Sequence, residues 1–320
     1  MNVLVVRLSA MGDVVHALPL AENAAAAGAR VAWVVEHAFA GVLEGNPSCE
    51  RILVADTKAW RARPLAPSTW SAMARLRSEL VRFLPDIMLD PQGNWKSAVM
   101  ARAAGRHVVG FAASVRREPA SALLGRVPVT PGPAARHAVE ENLALLEAAG
   151  IPAKVRAPDA SYLLRRPAPE ADAFVTSLPK PYAVFHPGAG RADKAWGEDR
   201  YAALASALRD LRGLAPVVSW GPGDQERAAR LASLVPGAVR APLLGVPGLA
   251  RLAAGARLFA AGDTGPLHLA DALGTRTLAL FGPTDPERNG PYRFRVGIVR
   301  DMRRVSDDTV LAIASRVIAD

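Results

Sequence analysis

The sequence predicts an α/β protein made of two doubly wound domains, each a parallel sheet covered by helices. Three observations predict it. Short apolar runs alternate with stretches of helical periodicity. The alternation breaks between Ile151 and Lys180, in a Pro- and Arg-rich stretch, and then restarts. Polar and glycine-rich residues gather just after the apolar runs, where ligands bind in such sheets.

In chain order, NVLVVRL reads as a strand, and DVVHALPLAENAAAAG as a helix ending at Gly28. RVAWVVE is the next strand, FAGVLEGNP a short helix and RILVAD a third strand. STWSAMARLRSELVRFLP has apolar residues at helical spacing with basic residues on the other face. DIMLDPQ is a strand, WKSAVMARAAG a helix, HVVGF a short strand and HAVEENLALLEAAG a helix with a glycine stop. Beyond the break, EADAFVTSL has a helical pattern and YAVFHPGAG is a strand running into a turn. DRYAALASALRDL, DQERAARLASLV, VPGLARLAAG and PLHLADALG read as helices. Strands at APVVSWGPG, RLFAAGDTG and TRTLALFGPTDP separate them. SDDTVLAIASRVIA closes the chain as an amphipathic helix with a Ser-Asp-Asp start.

A length of 320 residues, half of them hydrophobic, suits two domains with filled cores. No apolar run is long enough to span a membrane, and the start lacks the pattern of a signal peptide. The single cysteine, Cys49, excludes an internal disulfide and a Cys-based zinc site. A soluble cytosolic protein is the expectation. The net charge of +9 is uneven: residues 58–136 hold 13 Lys and Arg against 4 Asp and Glu. Such a segment is either a solvated basic surface or an attractor of phosphate-rich partners. Nucleic acid is not the expected partner, because no RNP, helix-turn-helix or zinc pattern accompanies the charge.

Several motifs can carry chemistry. In RLSAMGDVVHALP, Asp13 stands where strand one turns into a helix; it is either an N-cap or a reactive carboxylate, and His16 one turn on can equally face the core. In FHPGAGRADKAW, a loop with Gly188 and Gly190 precedes Lys194, which is either a tight turn with a surface lysine or an anion cradle. In AAGDTGPLHLADALG, Asp263 or Thr264 can cap a helix starting near Gly265, and free amides there suit a diphosphate. His268 on its first turn either reaches the same ligand or packs in the core. FGPTDPERNGPY is a structured loop or one that closes over a ligand. No HExxH, CxxC cluster, GxSxG or DxD pattern supports a metal or serine-nucleophile mechanism.

Together these pieces resemble the ADP-heptose:lipopolysaccharide heptosyltransferases, glycosyltransferase family 9, most of all their type I branch. The resemblance is carried by VRLSAMGDVVHALP, DPQGNWKSA, RREP, HAVEENL, HPGAGRADKAW, GDTGPLHLADALG and LFGPTDPERNGPY, in that order over nearly the whole chain. It implies a GT-B fold, two Rossmann-like domains facing a cleft: an acceptor-binding domain over 1–160 and a nucleotide-sugar domain over 161–304. It also implies that helix 305–320 packs back on the first domain. The implied reaction is inverting and metal-independent, with no cofactor. It moves L-glycero-D-manno-heptose from ADP-heptose to Kdo of Kdo2-lipid A, on the cytoplasmic face of the inner membrane. The alternatives are a related family member with another donor or acceptor, such as a heptosyltransferase II or rhamnosyl-type enzyme, and a non-enzymatic nucleotide- or nucleic-acid-binding protein. By the same resemblance Asp13 matches the catalytic base and Lys194 the diphosphate lysine. Asp263, Thr264, Gly265 and His268 match the donor-binding turn. Gly188 and Ala189 stand where relatives carry hydroxyl residues, so only their backbone amides could serve a phosphate. Leu244 falls at an adenine-facing position, although the neighbouring GVPG departs from the family pattern. Lys58, Arg61, Arg63 and Arg117 fall in the regions that bind the anionic acceptor.

Overall fold

The computed structural model describes residues 1–319. The chain divides into two compact units, Met1–Pro158 and a second beginning at Asp159. In the first unit the strands are β1 (Asn2–Val6), β2 (Arg30–Glu36), β3 (Arg51–Ala55), β4 (Ile87–Asp90), β5 (Val108–Phe111) and β6 (Val127–Val129). The helices are α1 (Met11–His16), α2 (Leu18–Ala26), α3 (Thr57–Ala62), α4 (Pro67–Phe83), α5 (Trp95–Ala104) and α6 (Ala138–Ala148). All strands pair in parallel in the order β3-β2-β1-β4-β5-β6. Helices cover both faces of such a sheet, so its central strands are apolar without alternation, as in the fully buried run Val3–Val6.

The second unit repeats the plan. Its strands are β7 (Tyr182–His186), β8 (Ala215–Val218), β9 (Val239–Arg240), β10 (Leu258–Gly262), β11 (Thr277–Leu280) and β12 (Ile298–Val299). Its helices are α7 (Pro169–Ser177), α8 (Glu198–Arg212), α9 (Gln225–Leu234), α10 (Val246–Ala254), α11 (Gly265–Ala272), α12 (Pro286–Asn289) and α13 (Asp307–Ala319). The order β12-β11-β10-β7-β8-β9, read from its other edge, is the same doubly wound order as in the first unit. Strand order therefore reverses direction between β1 and β4 in one unit and between β7 and β10 in the other. Loops leaving the carboxyl ends of those four strands border the two switch points.

Local chemistry explains most element ends. The helix expected over residues 13–28 is two helices, because Pro19 starts a new one: Ala17 ends α1 and caps α2. Gly28, at φ +81°, supplies the left-handed turn into β2. Asp56 caps α3, its carboxylate accepting from the Ala59 N–H at 3.1 Å. The His137 Nδ1 accepts from the Val139 N–H at 3.1 Å and caps α6.

Two features bear on the sites. Asp90, at the end of β4, and Arg116, in the loop after β5, form an ion pair of 2.8 Å that is essentially without solvent contact. Arg116 also donates to Ser121 Oγ at 3.2 Å and to the Phe111 carbonyl. A buried charge is tolerable only with such a partner and further hydrogen bonds. The motifs DPQGN and RREP are thus two halves of one brace. At the junction, Asn23 in α2 accepts from the N–H groups of Lys154 and Val155 at 2.7 and 2.8 Å, binding the segment after α6 to the first unit.

The last helix departs from expectation. Val310, Ala314, Val317 and Ile318 of α13 join the core cluster of the second unit with Leu204, Leu208 and Leu280. Arg200 in α8 fastens its start, with Nε 2.7 Å from the Asp307 carboxylate. The apolar stripe that predicted an amphipathic helix is spent on α8 and β11, so α13 is part of the core of the second unit. Among the described residues no helix is long and apolar enough to cross a membrane.

Candidate functional site

In the second unit, the turns after β7 and β10 bring the predicted donor residues together. Lys194 lies in a short turn, Ala192–Lys194, and its Nζ is 2.7 Å from Asp263 Oδ2. The other oxygen, Oδ1, is 3.1 Å from His268 Nε2. Burial by itself pushes the Asp263 carboxyl up; the hydrogen bonds and charges of His268 and Lys194 outweigh it and hold the group well below the usual carboxylate range. Asp263 is therefore a fixed anion between two donors. His268, 4% exposed, bonds to Asp263 and so fixes the carboxylate that fixes the lysine.

The expected cap on α11 is not made. Asp263 is engaged as above. Thr264 occupies the N-cap position, but its hydroxyl donates back to the Gly262 carbonyl at 3.2 Å and no side chain caps the helix. The first turn of α11 from Gly265 thus keeps the amide-rich, positive end that anions favour, beside Lys194's partner Asp263.

Gly188 is buried and is glycine for want of room. A Cβ there would lie 2.4 Å from Asp224 Oδ2 and 2.8 Å from His186 Nε2. The space a hydroxyl side chain would need is filled by Asp224, just before α9, and by His186 at the end of β7. Ala189 follows, partly exposed. Leu244, half-buried, packs against Gly248 of α10 at the margin of the core. Sequence reasoning gave no role to Asp224 or to His186, although it placed His186 at a strand's carboxyl end. The SWGPGDQ turn gave a signal for the first, since it ends a strand at the same sheet edge. It also missed Asp271, whose carboxylate accepts from the N–H groups of Tyr292, Arg293 and Phe294 at 2.7, 3.1 and 3.0 Å. Those bonds make FGPTDPERNGPY a structured loop, with Asp285 accepting from the Glu287 N–H at 2.9 Å.

In the first unit, Asp13 is not the N-cap of α1. Ala10 holds that position, and Asp13, at N3, reaches back to accept from the Ala10 N–H at 3.1 Å. Its other oxygen is 2.6 Å from Arg7 Nη2, so neither oxygen is without a partner. Each carboxylate oxygen has a second lone pair, and the side chain is 36% exposed. Arg7 is itself anchored at the Pro91 carbonyl at 2.5 Å, and the Leu8 N–H donates to Gln92 Oε1 at 2.6 Å. The turn after β4 thereby fixes the turn after β1. His16 is buried, its ring 5.1 Å from that of His137 in an edge-to-face pair.

The four predicted acceptor residues are all exposed. Lys58 and Arg61 are on α3 and Arg63 ends it, while Arg117 follows the buried Arg116. Arg61 Nε donates to the Thr57 carbonyl at 3.3 Å. Among the described residues no group of three or more His, Cys, Asp or Glu side chains is placed to hold a metal ion.

Two doubly wound units, one of them with a lysine and an uncapped helix start at its switch point, define an α/β protein with a candidate anion-binding turn. The model of glycosyltransferase family 9 (heptosyltransferase) matches residues 73–310. The chain belongs to that family and is a glycosyltransferase. It is 35% identical over 299 residues to lipopolysaccharide heptosyltransferase 1 of Pseudomonas aeruginosa, covering 91% of this chain and 81% of that one. Its fold matches the Escherichia coli heptosyltransferase WaaC solved with ADP: TM-score 0.83, 29% identity, 99% of this chain and 100% of the other. WaaC with ADP-2-deoxy-2-fluoro heptose matches at TM-score 0.80 and 28% identity, with 99% of each chain covered. The fold is therefore of the GT-B class.

The buried His186 gives the second unit a pH signature. Burial lowers its imidazole to about 4 from the ordinary 6.5. The unfolded chain takes up this proton below about pH 6.5, whereas the folded one resists until near 4. Stability from this group is therefore lost as pH falls through that window, about 3 kcal/mol in all. Urea unfolding at pH 7 and pH 4.5 should show the loss, and His186→Gln should flatten it; parallel profiles would refute the assignment.

Proposed function

We propose that the protein is an inverting, metal-independent heptosyltransferase. It moves L-glycero-D-manno-heptose from ADP-heptose to Kdo of Kdo2-lipid A in building the lipopolysaccharide inner core. The observation that supports this most is the Lys194–Asp263–His268 cluster beside the uncapped start of α11, in a chain whose fold matches WaaC solved with ADP and with an ADP-heptose analogue. In this reading the second unit holds the donor and the first the acceptor.

The acceptor hydroxyl attacks the anomeric carbon from the face opposite ADP. The bond to the diphosphate oxygen breaks, and the hydroxyl proton passes to the Asp13 carboxylate. Arg7 and the Ala10 N–H hold that carboxylate in one orientation, leaving lone pairs for the hydroxyl. The diphosphate gains negative charge as it leaves. Lys194 and the first amides of α11 meet that charge, the role a divalent cation plays elsewhere. No resident cofactor is required. The basic segment 58–136, with Lys58, Arg61, Arg63 and Arg117, is suited to Kdo carboxylates and lipid A phosphates. It is also suited to peripheral contact with an anionic inner membrane from the cytoplasmic side.

Three measurements test this reading, each by mass detection of transfer from ADP-heptose to Kdo2-lipid A. Asp13→Asn is expected to fold and to lose at least ~10²-fold in turnover; near-normal turnover would reduce Asp13 to its local contacts. Lys194→Ala is expected to lose about 10-fold or more in kcat/KM for the donor, and unchanged donor kinetics would remove it from the diphosphate site. Transfer should continue unchanged in EDTA, whereas a loss reversed by Mg²⁺ would overturn the metal-free mechanism.

A further inference from the structure

Helix α4 is poorly covered for its length. Of its 17 residues only Thr69, Leu76, Leu80 and Phe83 are buried. Trp70 is 60% exposed, and Met73 is exposed beside it; Trp95 and Val99 of α5 are exposed as well. These residues, with Trp60 of α3 and Met100 of α5, line a cavity of about 760 Å³ bounded by α3, α4 and α5. That volume suits a small-molecule or chain ligand, and monomeric proteins seldom leave so large an apolar concavity open without use.

The lining chemistry restricts the occupant. Its two hydroxyls are already engaged: Thr57 Oγ1 donates to Glu36 at 2.8 Å and Thr69 Oγ1 to the Arg63 carbonyl at 2.7 Å. A heteroatom-rich ligand would lose water against the apolar wall and find donors only at the lining cations and indoles, whereas a hydrocarbon chain needs none. Methionines and indoles adapt to a chain of indefinite conformation. Arg61, Arg77 and Lys96 also line the cavity, and none of the lining residues is acidic. The complement of that wall is a hydrocarbon chain tied to an anionic head. Arg61 belongs at once to this cavity and to the α3 region read as acceptor-binding.

We propose that the α3–α4–α5 groove receives a fatty-acyl chain of the phosphorylated glycolipid acceptor, so that the acceptor is recognised by its lipid as well as by its sugar. This rests on the reading of the first unit as the acceptor-holding one. Each buried methylene tightens binding about fourfold, so even a few seated methylenes give a large preference.

The test compares acylated Kdo2-lipid A, dispersed in detergent, with its fully deacylated form, using the full chain. Wild type is expected to show a KM at least about tenfold lower for the acylated form. Ala74→Phe, which fills the groove, and Met73→Glu, which charges it, are exposed changes expected to erase that preference while leaving kcat/KM for the deacylated form unchanged. Equal use of both acceptors by wild type would overturn the proposal, as would variants that lose both activities alike. So would variants that keep the preference but lose binding to anionic phospholipid vesicles, which would make the groove a bilayer-docking face. Transfer to neither acceptor would instead sink the functional reading. The groove is then judged separately by indole fluorescence of Trp60, Trp70 and Trp95. A saturable blue shift with lipid A below its aggregation concentration, absent in Met73→Glu, would sustain it, and no shift would refute it.

Discussion

A parallel strand pair cannot be closed by a tight turn; each strand must be followed by a crossover, and nearly always by a helix. That constraint governs both units. It sends every loop that follows a strand to one edge of its sheet, and the reversal of strand order parts two of those loops to leave a concave place. The loops after β1 and β4 carry Arg7, Asp13, Pro91 and Gln92, and they hold one another by direct hydrogen bonds. The loops after β7 and β10 carry Lys194 and Asp263, which pair at 2.7 Å. Chemistry-bearing residues far apart in sequence meet in each unit because the winding leaves them no other edge.

The two switch points treat their carboxylates in opposite ways. Asp263 is largely buried and clamped by a lysine and a histidine, so its charge is permanent and its work is to orient Lys194. Asp13 is partly open to solvent and held by one arginine and one backbone amide, so a lone pair on each oxygen stays uncommitted. Both carboxylates have two partners; what differs between them is burial. The same division appears in the brace between Asp90 and Arg116, buried together and purely architectural, beside Arg117, which is exposed and available. Adjacent arginines in one RREP motif thus sit in opposite settings, one buried and paired, the other exposed.

The strands that cover both faces of the sheet with apolar residues, β1, β2, β7 and β10, were legible because parallel packing writes a continuous hydrophobic run. Of the four strands at the sheet margins, only β3 was legible. β6, β9 and β12 have two or three residues each and pair on one side only. β6 even contains Pro128, which an edge strand tolerates and a central one does not. Six residues of α3 were missed for the same reason: one turn and a half shows no period. In the site, Lys194, Asp263 and His268 were found through glycine and cap signals at strand ends, but the bonds they make to one another were not foreseen. A cap is a local property, whereas Asp263 spends its oxygens on residues 5 and 69 positions away. The three backbone bonds to Asp271 and the crowding of Gly188 by Asp224 are likewise contacts between distant segments, with no local trace.

The placement of α13 shows how far one helical pattern can be taken. Its stripe of Val310, Ala314, Val317 and Ile318 requires an apolar partner but does not say which. What decides it is charge and reach: Arg200 on α8 meets Asp307 and the carbonyls of Met302 and Val305. Those bonds fasten the start of the helix to the unit that buries its stripe. α4 poses the converse case. Its stripe buries Leu76, Leu80 and Phe83 against the first sheet, yet Trp70 and Met73 stay outside that face. An amphipathic helix normally exposes polar residues on the side away from the core. When it exposes an indole and a thioether beside arginines, the sequence is specifying a surface that is finished only by something apolar and negatively charged.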